Sequence, residues 1–388
     1  MISAQTSRQP SRQHEDSLLD SGIARIAYLV PAPGIPVRGP SGASAHVRAL
    51  AEAWLEDHDV RVFAARLRDR RGVFGRAVPT IAAGAPGWPS WLDHYRDMVE
   101  VSAARRVANQ VISSARQGWV PDVIFERHTL FSDASWRVSD AINVPWALEV
   151  NAPPVLERSR FEALRRPDFA NLWERRVLQQ APVIIAVSRW IKDWLETEIG
   201  CRNVHWIPNG VTPLRGNRER GRERLGLGAD ERVVGFVGSM KPWHGVDSLA
   251  QIAEGAEAKL VIIGPGATTI EGAIATGHLD SQALADTVAA LDVGLAPYPA
   301  DAPPWFCPLK VMDYRAQGTP VVGSDIGETR VLVGEGGTIV DPGDIQTMIE
   351  ATRYWIGRRT KRKIRSWQRV GSQMIDVAIQ AAPEGGEQ

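Results

Sequence analysis

From Ile23 onward the chain alternates short apolar runs with longer stretches whose apolar residues recur every three to four positions. Ile23–Val30, Val60–Ala64, Asp122–Glu126, Pro145–Val150 and Val183–Val187 read as strands. Ala43–Glu56, Trp91–Arg116, Thr129–Ala141 and Phe161–Gln180 read as the helices between them. A second series follows, with strands at His205–Pro208, Val233–Val237, Leu260–Ile263, Val293–Ala296 and Pro320–Val322. Its helices are a segment from Val246, Ser281–Ala290, Leu309–Gln317 and a final helical region from Ile345 to about Gln380. Such alternation builds parallel sheets covered by helices on both faces. Roughly a dozen strands are too many for one twisted sheet. The pattern therefore predicts an α/β protein of two doubly wound domains, and 388 residues suffice for both. Ligands of such sheets bind beyond the carboxyl ends of the strands. Chemistry is therefore expected on strand-to-helix loops of both halves, facing a shared cleft.

Composition narrows the function. Forty-five basic residues balance 45 acidic ones, unlike the basic excess of a general nucleic-acid binder. Cys201 and Cys307 stand alone, without metal-ligand spacing. No run of 18 apolar residues is present, and residues 1–21 are polar, with no signal-peptide pattern. These features predict a cytoplasmic location. Only six of the 45 basic residues are lysines: Lys192, Lys241, Lys259, Lys310, Lys361 and Lys363. Codon bias accounts for most of the arginine excess, and it makes each lysine informative. Residues 353–369 carry eight Arg or Lys and no acid, with Trp355, Ile356, Ile364 and Trp367 interspersed. That pattern could place a basic helix on anionic lipid, although a solvated face is the default reading.

The most informative segment is Pro308 to Gly323, PLKVMDYRAQGTPVVG. Proline opens a helix at its first turn without losing a bond. The amides of Leu309 and Lys310 are then free to bind an anion, aided by the helix dipole and the Lys310 charge. Asp313, one turn on, would repel a phosphate but accept hydrogen bonds from sugar hydroxyls. A phosphate site and a hydroxyl site on one helix suit a nucleoside diphosphate sugar.

This segment resembles the donor-binding motif of the retaining GT-B glycosyltransferases of family 4, in a Pro-Leu-Lys variant. A second stretch is similar too: Gly238-Ser239-Met240-Lys241-Pro242-Trp243-His244-Gly245 follows a strand and leads into a helix. Softer matches are Ser41-Gly42-Ala43 as the family's glycine loop and Ile207-Pro208-Asn209-Gly210-Val211 as its interdomain linker. The resemblance implies two Rossmann-like domains facing a cleft. A polar tail would cover 1–21, an acceptor domain 22–187 and a donor domain 188–345. Residues 346–388 would hold a helix crossing back to the first domain.

The resemblance further implies that Asp313 holds the ribose, with aspartate in place of the usual glutamate. Leu309, Lys310, Lys241, Ser239, His244 and Gly42 would surround the diphosphate, with Lys241 the main charge and Lys310 beside it. Glu126 and His128 are alternative cleft residues, and Glu149 and Asn151 would face the acceptor. The family's further acidic residue, eight positions before Asp313, is replaced by Trp305. The implied reaction moves a hexose-type sugar to a hydroxyl acceptor with retention. The donor is a nucleoside diphosphate sugar, UDP-sugar favoured, and no metal or other cofactor is needed. A small natural product, a saccharide or a lipid could serve as acceptor. Two rivals share the architecture: a nucleotide-sugar 2-epimerase, and a catalytically silent nucleotide-sugar binder.

Overall fold

The computed structural model describes residues 22–39, 41–67, 80–82, 96–162, 164–265 and 270–380. The expected tail at 1–21, the Trp88–Trp91 pair and the start of the helix expected from Trp91 lie outside these residues. Two parallel sheets are present. The first contains β1 (Arg25–Val30), β2 (Asp59–Ala64), β3 (Thr80–Ala82), β4 (Val123–Arg127), β5 (Trp146–Val150), β6 (Val183–Ala186) and β7 (Val204–Trp206). Their spatial order is β3-β2-β1-β4-β5-β6-β7. The second contains β8 (Val233–Val237), β9 (Lys259–Ile263), β10 (Ile274–Gly277), β11 (Val293–Ala296), β12 (Val321–Ser324) and β13 (Gly337–Val340). Their order is β10-β9-β8-β11-β12-β13. In both sheets the order reverses beside the first strand, which opens a crevice at the carboxyl ends of the central strands. The central strands are buried on both faces, so they read as continuous apolar runs. The architecture is GT-B: two Rossmann-like domains.

Several expectations need correction. β7 pairs with β6, so the first domain runs past residue 187 to Trp206. The helix expected at Thr129–Ala141 begins only at Ala134. The helix expected at Phe161–Gln180 begins only at Pro167, and Phe161 instead ends a separate helix, Pro154–Phe161. The final helical region divides as well. Helix Ile345–Trp355 packs within the second domain, and helix Trp367–Gln380 packs on the first, its Met374 and Ile375 joining the core that contains Val47 and Leu50. Residues 356–366 form the crossing between them, so 353–369 is not one basic helix. Three of its arginines serve backbone carbonyls of the folded domains. Arg359 donates to the carbonyls of Leu291 and Ala289, Arg362 to those of Ala316 and Leu214, and Arg365 to that of Pro208. No helix among the described residues is long and apolar enough to cross a membrane.

Candidate active site

Helix Leu309–Gln317 forms where expected, with Pro308 at its N-cap, no side chain capping that end, and Gly318 closing the other end at φ 69°. Tyr314 locks the helix onto the sheet. Its buried hydroxyl accepts from Val237 N (2.8 Å) and lies 3.2 Å from the Leu295 carbonyl, so it ties β8 to β11. Gly294 leaves the space for that ring, since a Cβ there would lie 2.4 Å from it. The helix N-terminus is thereby fixed at the carboxyl end of the second sheet.

Lys310 points back over that end. Its side chain is buried at 7% exposure, and its Nζ has no hydrogen-bond partner. The ammonium sits 3.9 Å from the Phe236 ring centroid and 5.0 Å from that of Tyr298. Burial lowers its pKa to about 7. Burial also raises the carboxyl of Asp313, one turn along, to about 7. Burial thus moves both groups of this helix toward their neutral forms.

The loop after β8 supplies the other side. Gly238 takes φ 142°, and a Cβ there would lie 3.6 Å from Lys310 Cε. His244 sits in the short turn Pro242–His244, and its Nδ1 lies 2.8 Å from the Ser239 carbonyl. The carbonyl can only accept, so Nδ1 carries the proton and Nε2 is left for a ligand. Burial, with the Lys310 and Lys241 charges, lowers His244 to about 3. Lys241 is exposed, its Nζ 5.4 Å from the Trp243 ring centroid. The structure thus brings Lys310, His244, Ser239 and Lys241 together, with Lys310 rather than Lys241 the enclosed charge. Among the described residues, no group of three His, Cys, Asp or Glu side chains is placed to hold a metal ion.

From the first domain, Gly42 begins helix Gly42–Trp54 and faces Leu309, whose Cδ1 would lie 4.0 Å from a Cβ on Gly42. The residues at the ends of β4 and β5 divide sharply. Glu126 is buried and accepts from Ser135 N at 2.7 Å, capping helix Ala134–Ile142. Glu149 is buried too, pairing with His46 Nε2 and accepting from the Tyr28 hydroxyl at 2.8 Å. Burial pushes Glu149 up, but His46, Arg127 and Tyr28 outweigh it and hold the carboxyl at about 2. Glu149 is therefore committed inside the domain rather than facing an acceptor. By contrast, both ring nitrogens of His128 and Nδ2 of Asn151 are buried without partners, while Arg127 Nη1 lies 4.0 Å from Glu149 Oε2. Burial lowers His128 to about 4. Sequence reasoning passed over Arg127. Its position at the carboxyl end of a parallel strand, beside His128, was the available signal. Trp305 is buried and packs on Trp190 of the first domain at 5.4 Å, so it anchors the domains and presents no ring face to a sugar.

Comparison with known proteins agrees with this arrangement. Residues 40–215 match the Glycosyltransferase Family 4 model, and residues 231–357 match the model of Glycosyl transferases group 1. Each half of the chain thus matches a glycosyltransferase model. TuaC of Bacillus subtilis, named for teichuronic acid biosynthesis, is 27% identical over 64% of this chain and 66% of its own length. A GDP-mannose-dependent alpha-mannosyltransferase of Mycolicibacterium smegmatis is 32% identical over 37% of this chain and 42% of its own. The chain thus spans less than two thirds of these relatives' length. Anabaena Alr3699/HepE, solved with UDP and glucose, shares the fold at TM-score 0.61 and 17% identity, covering 92% of this chain and 98% of that one. In this GT-B frame helix Leu309–Gln317, the β8 loop and the loop before Gly42 all lie where the two domains meet.

Proposed function

We propose that the protein transfers a hexose-type sugar from a nucleoside diphosphate sugar to a hydroxyl acceptor, with retention of configuration and without a metal. The observation that carries this reading is the enclosed, unpartnered ammonium of Lys310 beside an uncapped helix N-terminus. An unpaired buried charge is costly, and a diphosphate supplies the missing partner. It would also restore the charge that burial takes from Lys310. Asp313, on the same helix, is placed to accept from ribose hydroxyls.

The chemical step needs negative charge stabilised on the departing β-phosphate. Lys310, Lys241 and the first-turn amides supply it. The first domain then offers Arg127, His128 and Asn151 to the acceptor, and the unpartnered polar atoms of His128 and Asn151 support that role. The family resemblance supplies the retaining course, in which the acceptor attacks from the face the leaving group vacates and its proton passes to the β-phosphate. Domain closure aligns the reactants and excludes water. An epimerase would need acid and base carboxylates in the cleft. Of the candidates at the strand ends, Glu149 is held by His46 and Tyr28, and Glu126 caps helix Ala134–Ile142 through one oxygen.

The test is incubation of the pure protein with UDP-glucose, GDP-mannose and related donors, together with hydroxyl acceptors. The expected result is nucleoside diphosphate release coupled to a glycoside of the donor's own anomeric configuration, unchanged by EDTA. Epimer formation without nucleotide release would overturn the reading, and tight donor binding with no turnover would point to a silent binder.

A further inference from the structure

The capture of Glu149 has a further meaning. Its partner His46 lies one turn inside the helix that begins at Gly42, the residue facing Leu309. His46 is 3% exposed, and its ring meets that of Trp367 edge-on at 4.7 Å. Trp367 is the first residue of the helix that returns from the second domain. It also abuts the outgoing linker: a Cβ on Gly210 would lie 2.9 Å from the Trp367 backbone nitrogen, and Val211 pairs with Ser366. The two chain segments that join the domains therefore meet at Trp367, whose ring packs on one side of His46, and the sheet, through Glu149 and Tyr28, holds the other.

We infer that His46, paired with Glu149, is a positioning residue that sets the glycine loop against the donor helix and couples that loop to movement of the two domains. The inference rests on the proposed transferase activity, which would use the loop at closure. His46 is enclosed by Glu149 and Trp367, so it acts through the loop and not on the substrate. The donor's own contacts, Lys310, Asp313 and His244, lie on the other domain and are independent of it.

Two variants test this. His46→Phe keeps a ring against Trp367 and loses the bond to Glu149, whereas His46→Gln can still donate to Glu149. In His46→Phe, donor affinity should stay within about twofold of wild type. Transfer should fall at least tenfold, and the ratio of transfer to donor hydrolysis should fall with it. His46→Gln should recover most of both. Hydrogen exchange supplies a readout independent of turnover: amides 42–46 should exchange at least tenfold faster in His46→Phe, while helix Arg96–Arg116 is unchanged. An unchanged partition ratio in an active enzyme, or unchanged exchange at 42–46, would overturn the positioning role. A wild type that turns over no donor would instead overturn the transferase reading, leaving the exchange result to decide the role of His46.

Discussion

The ammonium of Lys310 lies 3.9 Å from the centre of the Phe236 ring, with no acceptor in reach. An aromatic face stabilises a cation only modestly, so the free protein carries a charge it is poorly built to keep. Lys310→Met should therefore melt at or above the wild-type temperature while losing donor affinity. The loss of charge-assisted bonds is worth about 1.5–3 kcal/mol, or roughly 10- to 150-fold in affinity. A pH signature follows. Folded Lys310 titrates near 7, the unfolded side chain near about 10.4. Between these values the unfolded chain binds more protons, so stability from this group rises with pH and is lost as pH falls through 7. Denaturant titrations at pH 7 and pH 9 should show that rise in wild type and a smaller one in Lys310→Met.

Asp313 mirrors this behaviour with opposite sign. Its folded pKa is raised to about 7, so its contribution is complete at low pH and is lost as pH rises through that value. Asp313→Ala should leave the free protein no less stable at pH 8. It should also weaken binding of a nucleoside diphosphate by about 1.5–3 kcal/mol, the worth of a charge-assisted hydrogen bond. Calorimetry with inorganic pyrophosphate provides the contrast: its affinity should not fall, because it has no ribose to lose.

How much of this was legible in the sequence depends on where each residue lies. Helix Leu309–Gln317 was readable because Pro308 and Gly318 mark its ends chemically. Strands β3, β10 and β13 were missed, and all three lie at sheet edges. β10 and β13 are only partly buried and short of apolar residues, so they give no continuous run. The lysines were found from scarcity and loop position, but their ranking was not, because enclosure of Lys310 depends on Phe236 and Tyr298, 74 and 12 residues away in the chain. Glu149 was placed at the correct strand end and given the wrong partner, since no spacing rule links it to His46. The crossing at 356–366 looked helical because its basic composition was visible while the carbonyls it serves, on distant helices, were not.

Trp305 makes a sharper test of position against role. It occupies the place where the related family often carries an acid, and Trp305→Glu would restore that acid. Here the side chain is 4% exposed and belongs to the core of the first domain. Truncating a buried tryptophan costs about 3–5 kcal/mol, and an unpaired carboxylate in its place adds to that. Urea denaturation should show a loss of at least about 3 kcal/mol. Transfer activity should fall rather than rise; a gain would mean that the acid finds the sugar despite the lost anchor.

The basic crossing yields the last prediction. Arg359 Nη1 donates to the Leu291 carbonyl at 2.8 Å and to Thr319 Oγ1 at 3.2 Å, and its other arm reaches the Ala289 carbonyl. Arg218 serves the same helix end, donating to the carbonyls of Ala289, Ala290 and Leu291. The last carbonyls of a helix lack intrahelical donors and carry partial negative charge, which guanidinium groups offset. Arg359→Ala should therefore destabilise the second domain, by about 1 kcal/mol given that its side chain is partly solvated. Membrane attachment predicts a different outcome. If this segment binds anionic lipid, Arg359→Ala should reduce co-sedimentation with phosphatidylglycerol vesicles and leave the melting temperature unchanged. The directed bonds to Leu291 and Ala289 favour the reverse: a lower melting temperature and unchanged vesicle binding.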